Sequence, residues 1–229
     1  MRFSDFIGNK HNVEVMQNAL KSGRLASAYL FSGREGVGKC LFALTVAKAL
    51  HCRILGTHHL IPHDQRSLDN IFAMELSDVS PKFFEPCGRC TGCTKVEHRT
   101  HPDLFFVSPD GKQIKIEQIR DLQGRLQYQP LESTRKVVVI DDADSMNTSA
   151  ANALLRTLEE PPKGTIFFLV ATSSETILPT IRSRCRHLRF SPLGQEDIEA
   201  WLAKNLEDAS SKDLSLIAQM AEGSLSNAV

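Results

Sequence analysis

Gly33-Arg34-Glu35-Gly36-Val37-Gly38-Lys39-Cys40, set in AYLFSGREGVGKCLFALTVAKAL (residues 28–50), is the stretch on which the fold turns. The apolar run from Ala28 to Phe31 predicts a strand over 28–32. The Leu, Ala and Val alternation after Lys39 predicts a helix to about Leu50, apolar nearly all round and therefore buried. Strand, glycine-rich turn and helix form the context in which GxxxxGK denotes a phosphate-binding loop. Glycines let backbone N–H groups turn inward, and the helix N-terminus adds partial positive charge. Lys39 is placed to reach β- and γ-phosphates. The position after it, where a hydroxyl ligates Mg²⁺, holds the thiol of Cys40.

With 229 residues the chain can hold one large α/β domain and a smaller piece. Its 27 basic and 27 acidic residues balance, so net charge points to neither nucleic acid nor membrane. The N-terminus MRFSDFIGNK lacks the apolar centre of a signal peptide, and no apolar run is long enough to span a bilayer. A cytoplasmic protein is expected. Its six cysteines then read as metal ligands or packing residues rather than disulfides.

Val13, Met16 and Leu20 predict an amphipathic helix over about 10–22, and Gly23 ends it. Residues 53–86 lose periodicity and gather His58, His59, Pro62, His63, Pro81 and Pro86, the marks of an irregular insertion. A strand is expected at Leu104–Val107, then a helix carrying Ile116, Ile119, Leu122 and Leu126. Lys136-Val-Val-Val-Ile140 is a β-branched run suited to a strand buried on both faces. Asn147 and Thr148 can cap the next helix, whose Leu154, Leu155 and Leu158 face the core and which Pro161-Pro162 stops. Strands at Ile166–Ala171 and His187–Phe190 complete a five-stranded, mainly parallel sheet with helices on both faces. After Ser191-Pro192 only helices are expected, over Glu196–Leu206 and Lys212–Met220, with a third opening at Gly223-Ser224. Because that third helix barely begins, the expectation is that the sequence is a trimmed piece of a longer protein.

Three further stretches carry chemistry. In VVVIDDAD, Asp141 ends a buried strand downstream of the glycine loop, where a Mg²⁺-ligating carboxylate belongs. Asp142 follows where a glutamate ordinarily activates water; its charge is right and its reach one methylene shorter. Cys87, Cys90 and Cys93, at two-residue intervals around glycine turns, form a knuckle for a structural Zn²⁺. Cys52 is the leading fourth ligand, with His51, His58, His59, His63 and His98 in reserve, while Cys40 and Cys185 read as free thiols. Finally, Thr180-Ile-Arg182-Ser183-Arg184-Cys185-Arg186 is either a solvated helix end or an arginine aimed at phosphate bound elsewhere. The spacing does not choose between them.

The order GREGVGKC, triple-cysteine knuckle, THPDL, KVVVIDDAD, AANALLRTLEEPP, LPTIRSRC, FSPL runs across nearly the whole chain. It resembles the bacterial clamp-loader subunits of the AAA+ class, the delta prime and gamma/tau family of DNA polymerase III. The resemblance implies an AAA+ nucleotide-binding domain over residues 1–190, with a zinc module at 52–93, and a helical lid at 191–229. It implies a hetero-pentamer with gamma/tau and delta subunits, which opens a sliding clamp and closes it on primed DNA within the polymerase (nucleotidyltransferase) holoenzyme. Carried onto this sequence, it implies that Gly33, Gly36, Gly38, Lys39 and Cys40 form the Walker A loop, and Asp141 and Asp142 the Walker B pair. Thr172 stands at the first sensor, and Arg184 is the arginine that reaches a neighbour's ATP. Cys52, Cys87, Cys90 and Cys93 match the zinc ligands, although the gap after Cys52 is longer than the family's.

Departures cluster at the hydrolytic positions: Cys40 for Ser/Thr, Asp142 for Glu, and Ser226 where the lid's second sensor is an arginine. Magnesium prefers hard oxygen donors to a thiol. The expectation is therefore a delta prime type subunit, a weak or inactive ATPase that donates Arg184 in trans. The alternative is an active ATPase of gamma/tau type. ATP with Mg²⁺ is a possible ligand under either reading.

Overall fold

A computed structural model describes residues 1–55, 84–205 and 211–228. Most of the expected irregular insertion, with His58, His59 and His63, lies outside the described residues.

Strands β1 (Ala28–Ser32), β2 (Leu104–Val107), β3 (Lys136–Ile140), β4 (Thr165–Ala171) and β5 (Arg186–Arg189) pair in the order β2-β3-β4-β1-β5. Every pairing is parallel, so the expected mainly parallel sheet is wholly parallel. The continuous apolar runs follow from the layers, because alternate residues of each central strand enter different cores. Tyr29, Phe31, Val137, Val139 and Phe168 face one side, beneath α1 (Lys10–Lys21), α2 (Lys39–His51) and α3 (Thr91–Glu97). Leu30, Val138, Ile140, Phe167 and Leu169 face the other, under α4 (Ile116–Leu126), α5 (Thr148–Glu159) and the short α6 (Pro179–Arg182). The side chain of Asn147 accepts from the Ala150 N–H and caps α5, as its sequence position suggests.

Helices α7 (Gln195–Asn205) and α8 (Ser211–Met220) build a separate small core from Leu193, Ile198, Leu202, Leu214 and Ala218. The segment after α8 is a 3₁₀ turn, Leu225–Asn227, in place of the opening of an α-helix. Within this unit Gly223, whose φ is +84°, closes the turn after α8 against the segment that leads into α7. A Cβ there would stand 2.6 Å from the Pro192 side chain, and the Leu193 N–H donates to the Gly223 carbonyl at 3.0 Å.

Two buried charges fix the loop between α4 and β3. Asp103 accepts from the N–H groups of Leu131, Glu132 and Ser133 at 2.7–2.8 Å. The Lys136 ammonium donates to the carbonyls of Leu126 and, at 2.8 Å, Tyr128. Burial raises the Asp103 pKa, but these N–H donors outweigh it and hold the carboxyl below its ordinary value. His51 packs against this frame, its ring stacked on His101 at 4.1 Å and its Nδ1 3.0 Å from the Ser133 hydroxyl.

The sheet order sets the site. β1 and β3 flank β4, so the loop after β1, the aspartates after β3 and Thr172 after β4 emerge side by side at the carboxyl edge. Ligands of open parallel α/β sheets bind at that edge.

Candidate nucleotide and metal sites

The glycine loop forms as its sequence demands. Gly36 and Gly38 adopt φ of +78° and +88°, conformations that a side chain would strain. A Cβ on Gly33 would stand 2.3 Å from the Phe190 carbonyl oxygen, so the chain passes too close for any other residue. Phe6 lies against Gly38 and stacks edge-on to Phe42, with ring centroids 5.2 Å apart, which seats the start of α2.

Lys39 is buried, and its ammonium donates to the carbonyls of Gly33 at 2.6 Å and Arg34 at 2.7 Å. Burial lowers its pKa, opposed by the charges of Asp141, Asp144, Glu35 and Asp142. Cys40 faces Asp141. Burial first, then the charge and hydrogen bonding of that carboxylate, push the thiol up to about 12. At neutral pH Cys40 is therefore an S–H beside Asp141, neither a thiolate nor a hard oxygen ligand. Asp142 occupies the left-handed region, φ +49°, at the surface. Desolvation, then Asp141, Asp144 and Glu35, raise its pKa.

Thr172 stands at the end of β4, as expected, but a residue that sequence reasoning left unassigned takes its hydrogen bonds. Both its N–H (3.1 Å) and its hydroxyl donate to Asp144 Oδ2. The loop is also contacted by the helical unit. Arg34 donates to the Glu222 carbonyl at 2.9 Å and pairs with its carboxylate at 2.5 Å. The Leu225 N–H donates to the Gly36 carbonyl at 3.0 Å. Ser224 and Ser226 crowd Gly36 so closely that a Cβ there would meet the Ser224 Oγ at 1.9 Å. Glycine at position 36 thus serves both the turn and this close approach. The donor set fits Mg²⁺ poorly: one carboxylate ligand position is paired with a thiol, and the usual hydroxyl ligand is missing.

At the far end of α2, Cys52 meets Cys87, Cys90 and Cys93, and the four sulfurs all lie within 4.8 Å of one another. The Cys87–Cys93 sulfur separation is 3.9 Å. Tetrahedral zinc with bonds of ~2.3 Å places sulfurs about 3.8 Å apart, so the residues fit the ion. The Cys90 N–H points at Cys87 Sγ (3.4 Å) and the Cys93 N–H at Cys90 Sγ (3.5 Å), the polarity that thiolates favour. The four cysteines can therefore hold a metal ion, and among the described residues Cys52 completes the set. His51 is turned away into its stack with His101, and His98 stands outside the group. Gly92 lets α3 approach: a Cβ there would stand 2.0 Å from the His51 carbonyl oxygen.

Arg184 lies past α6, away from the chain's own glycine loop. Its Nη1 donates to the Thr180 carbonyl at 2.7 Å and the Ser183 hydroxyl at 3.3 Å, and its Nη2 pairs with Glu159. Cys185 is half-buried against the second core, and burial pushes its thiol up to about 12. No helix among the described residues is long and apolar enough to cross a membrane.

A wholly parallel β2-β3-β4-β1-β5 sheet, a glycine loop after β1, acidic residues after β3 and a docked helical unit define a P-loop domain of the AAA+ class. Solved structures agree on the fold. A gamma subunit-related protein of DNA polymerase III from Thermotoga maritima superposes with a TM-score of 0.56 at 21% identity, over 94% of this chain and 55% of that one. The RuvB Holliday junction branch migration motor of the same organism gives 0.57 at 17% identity, over 98% and 60%. At the level of sequence, the family model for "DNA polymerase III, delta subunit" matches residues 8–66 and 62–194. The chain belongs to that family. It is 36% identical to the DNA polymerase III subunit delta' of Bacillus subtilis over 91% of this chain and 54% of the relative. It is 33% identical to the subunit tau of Escherichia coli over 99% of this chain and 32% of the relative. The chain thus spans about half the length of the first of these relatives and a third of the second.

Proposed function

We propose that this chain is a clamp-loader subunit of delta prime type, acting in DNA replication within the DNA polymerase III holoenzyme. Residues 1–190 are its AAA+ domain and 191–229 its lid, and it works in the cytoplasm in a hetero-pentamer with gamma/tau and delta subunits. The sliding clamp and primed DNA are reached through that complex. Its own loop is a weak or inactive ATPase, and Arg184 serves the ATP of a neighbouring subunit.

The observation that carries the reading is the Cys40–Asp141 pair. A neutral thiol stands where a magnesium ligand is needed, beside the carboxylate that is the other ligand. The engagement of Thr172 by Asp144 and the contacts of residues 222–226 with the loop support it. Because these residues do not fit Mg²⁺, no hydrolytic step is derived through this loop. Zinc is proposed as a structural ion held by Cys52, Cys87, Cys90 and Cys93, where it would tie the end of α2 to α3. Arg184 is assigned in trans because it is partly exposed and held on the surface beyond α6.

Steady-state ATP hydrolysis by the isolated chain, beside its Cys40→Thr, Asp142→Glu double variant, tests this. The wild type is expected at background, and any gain should come with the double variant. Turnover by the wild type at the ~1–100 s⁻¹ of working phosphotransfer enzymes would establish the gamma/tau type instead.

A further inference from the structure

Glu159 is the last residue of α5, where the helix carbonyls create the negative end of the dipole and a carboxylate is disfavoured. Its counter-charge comes from another element: Glu159 Oε1 accepts from Arg184 Nη2 across 25 residues of sequence. Arg184 is held at the same time by its own turn, through Nη1 to the Thr180 carbonyl (2.7 Å) and the Ser183 hydroxyl (3.3 Å). That backbone is itself anchored, with the Arg184 N–H on the Ile181 carbonyl at 3.0 Å and Cys185 packed on the core.

These three side-chain bonds come from two elements and fix the plane of the guanidinium. An arginine carries five N–H donors in a rigid fork, so among the described residues the Nε–H and one Nη2 hydrogen are without a partner and can meet an external anion. Without Glu159 the outer end of a long side chain regains its rotamer freedom, with Arg182 and Arg186 close in sequence to repel it. We propose that Glu159 is a positioning residue for Arg184, holding the guanidinium in one orientation so that its free edge meets phosphate bound on a neighbouring subunit. This rests on the reading of Arg184 as an arginine presented in trans.

The test is ATP hydrolysis by the reconstituted complex carrying the full-length subunit as wild type, Glu159→Ala, Glu159→Gln, Arg184→Ala and the Glu159→Ala, Arg184→Ala double variant. Misplacing a positioned group costs on the order of tenfold or more in rate, so Glu159→Ala should lower kcat about tenfold with KM for ATP little changed. Glu159→Gln, which keeps an acceptor oxygen but no charge, should fall between. The double variant should match Arg184→Ala alone, since Glu159 acts only through that side chain. Wild-type kcat in both Glu159 variants, a raised kcat, or a double variant slower than Arg184→Ala overturns the positioning role. A wild-type rate for Arg184→Ala overturns the underlying in-trans reading instead. Equal melting temperatures across the set keep folding out of the comparison, and if Glu159→Ala is unfolded, Glu159→Gln decides alone.

Discussion

Gly92→Ala tests the metal site without touching a ligand. A Cβ at this position would stand 2.0 Å from the His51 carbonyl oxygen and 3.1 Å from the His51 carbonyl carbon, both backbone atoms that cannot rotate away. An ordinary carbon–oxygen contact needs about 3.3 Å, so α3 must part from the end of α2 by roughly 1 Å. His51 and Cys52 are adjacent, while Cys90 caps α3 and Cys93 lies in its first turn, so the same displacement pulls Cys52 away from two other ligands. Zinc–ligand distances tolerate only about 0.2 Å. The expected result is a metal affinity lowered at least tenfold in a chelator competition, and a fold destabilised by about 1–3 kcal/mol through overpacking. Chelator should lower the melting temperature of the wild type more than that of the variant, which has less bound metal to lose. Wild-type zinc affinity in Gly92→Ala would refute the arrangement of α2, α3 and the four sulfurs described here.

Two stability predictions concern buried titratable groups, one charged and one neutral. Asp103→Asn turns a carboxylate that accepts three backbone N–H bonds into an amide with one acceptor oxygen, and should cost about 2–4 kcal/mol in urea denaturation; a change below about 0.5 kcal/mol would contradict the role given to it. Burial, and secondarily His101, hold His51 down to about 3, below the ~6.5 of an exposed imidazole. The unfolded chain therefore takes up this proton first. Stability from neutral His51 is full above about pH 6.5 and is lost as pH falls toward 3. Between pH 6 and 5 the wild type should lose up to ~1.4 kcal/mol more per pH unit than His51→Asn, and parallel profiles would rule this out.

Residues whose meaning is local were legible from the sequence. The strand–glycine–helix pattern of 28–50, the β-branched run of β3 and the cysteine spacing each encode structure over one or two turns, and all of them hold. Cys52 was one candidate among several by residue type, and the fold is what brings it to the other three cysteines. What stayed hidden depends on contacts between ordinary polar residues far apart in sequence. Nothing about Glu222 or Leu225 marks them as partners of Arg34 and Gly36, 188 and 189 positions away. Asp144 looks like one more acidic turn residue until the sheet order brings it to Thr172. Glu159 reads as a charged helix end, and its pairing with Arg184 requires α5 and α6 to be placed first. His51 could be ranked among possible metal ligands by type, but the direction of its ring is set by Ser133 and His101, which are distant in sequence.

The glycine loop therefore keeps the shape of a nucleotide site, while the groups around it are engaged with one another. Cys40 faces Asp141, Thr172 is held by Asp144, and Lys39 is on the carbonyls of its own loop. In the proposed reading the chain's contribution to catalysis is Arg184, which is partly exposed beyond α6 and oriented by Glu159. ATP turnover by the reconstituted complex, compared between Lys39→Met and Arg184→Ala in this subunit, measures that division of roles directly. The account predicts that Lys39→Met leaves turnover close to wild type, while Arg184→Ala removes hydrolysis at the adjoining site, an effect of about 10³-fold or more there. Loss of turnover with Lys39→Met, and none with Arg184→Ala, would contradict it.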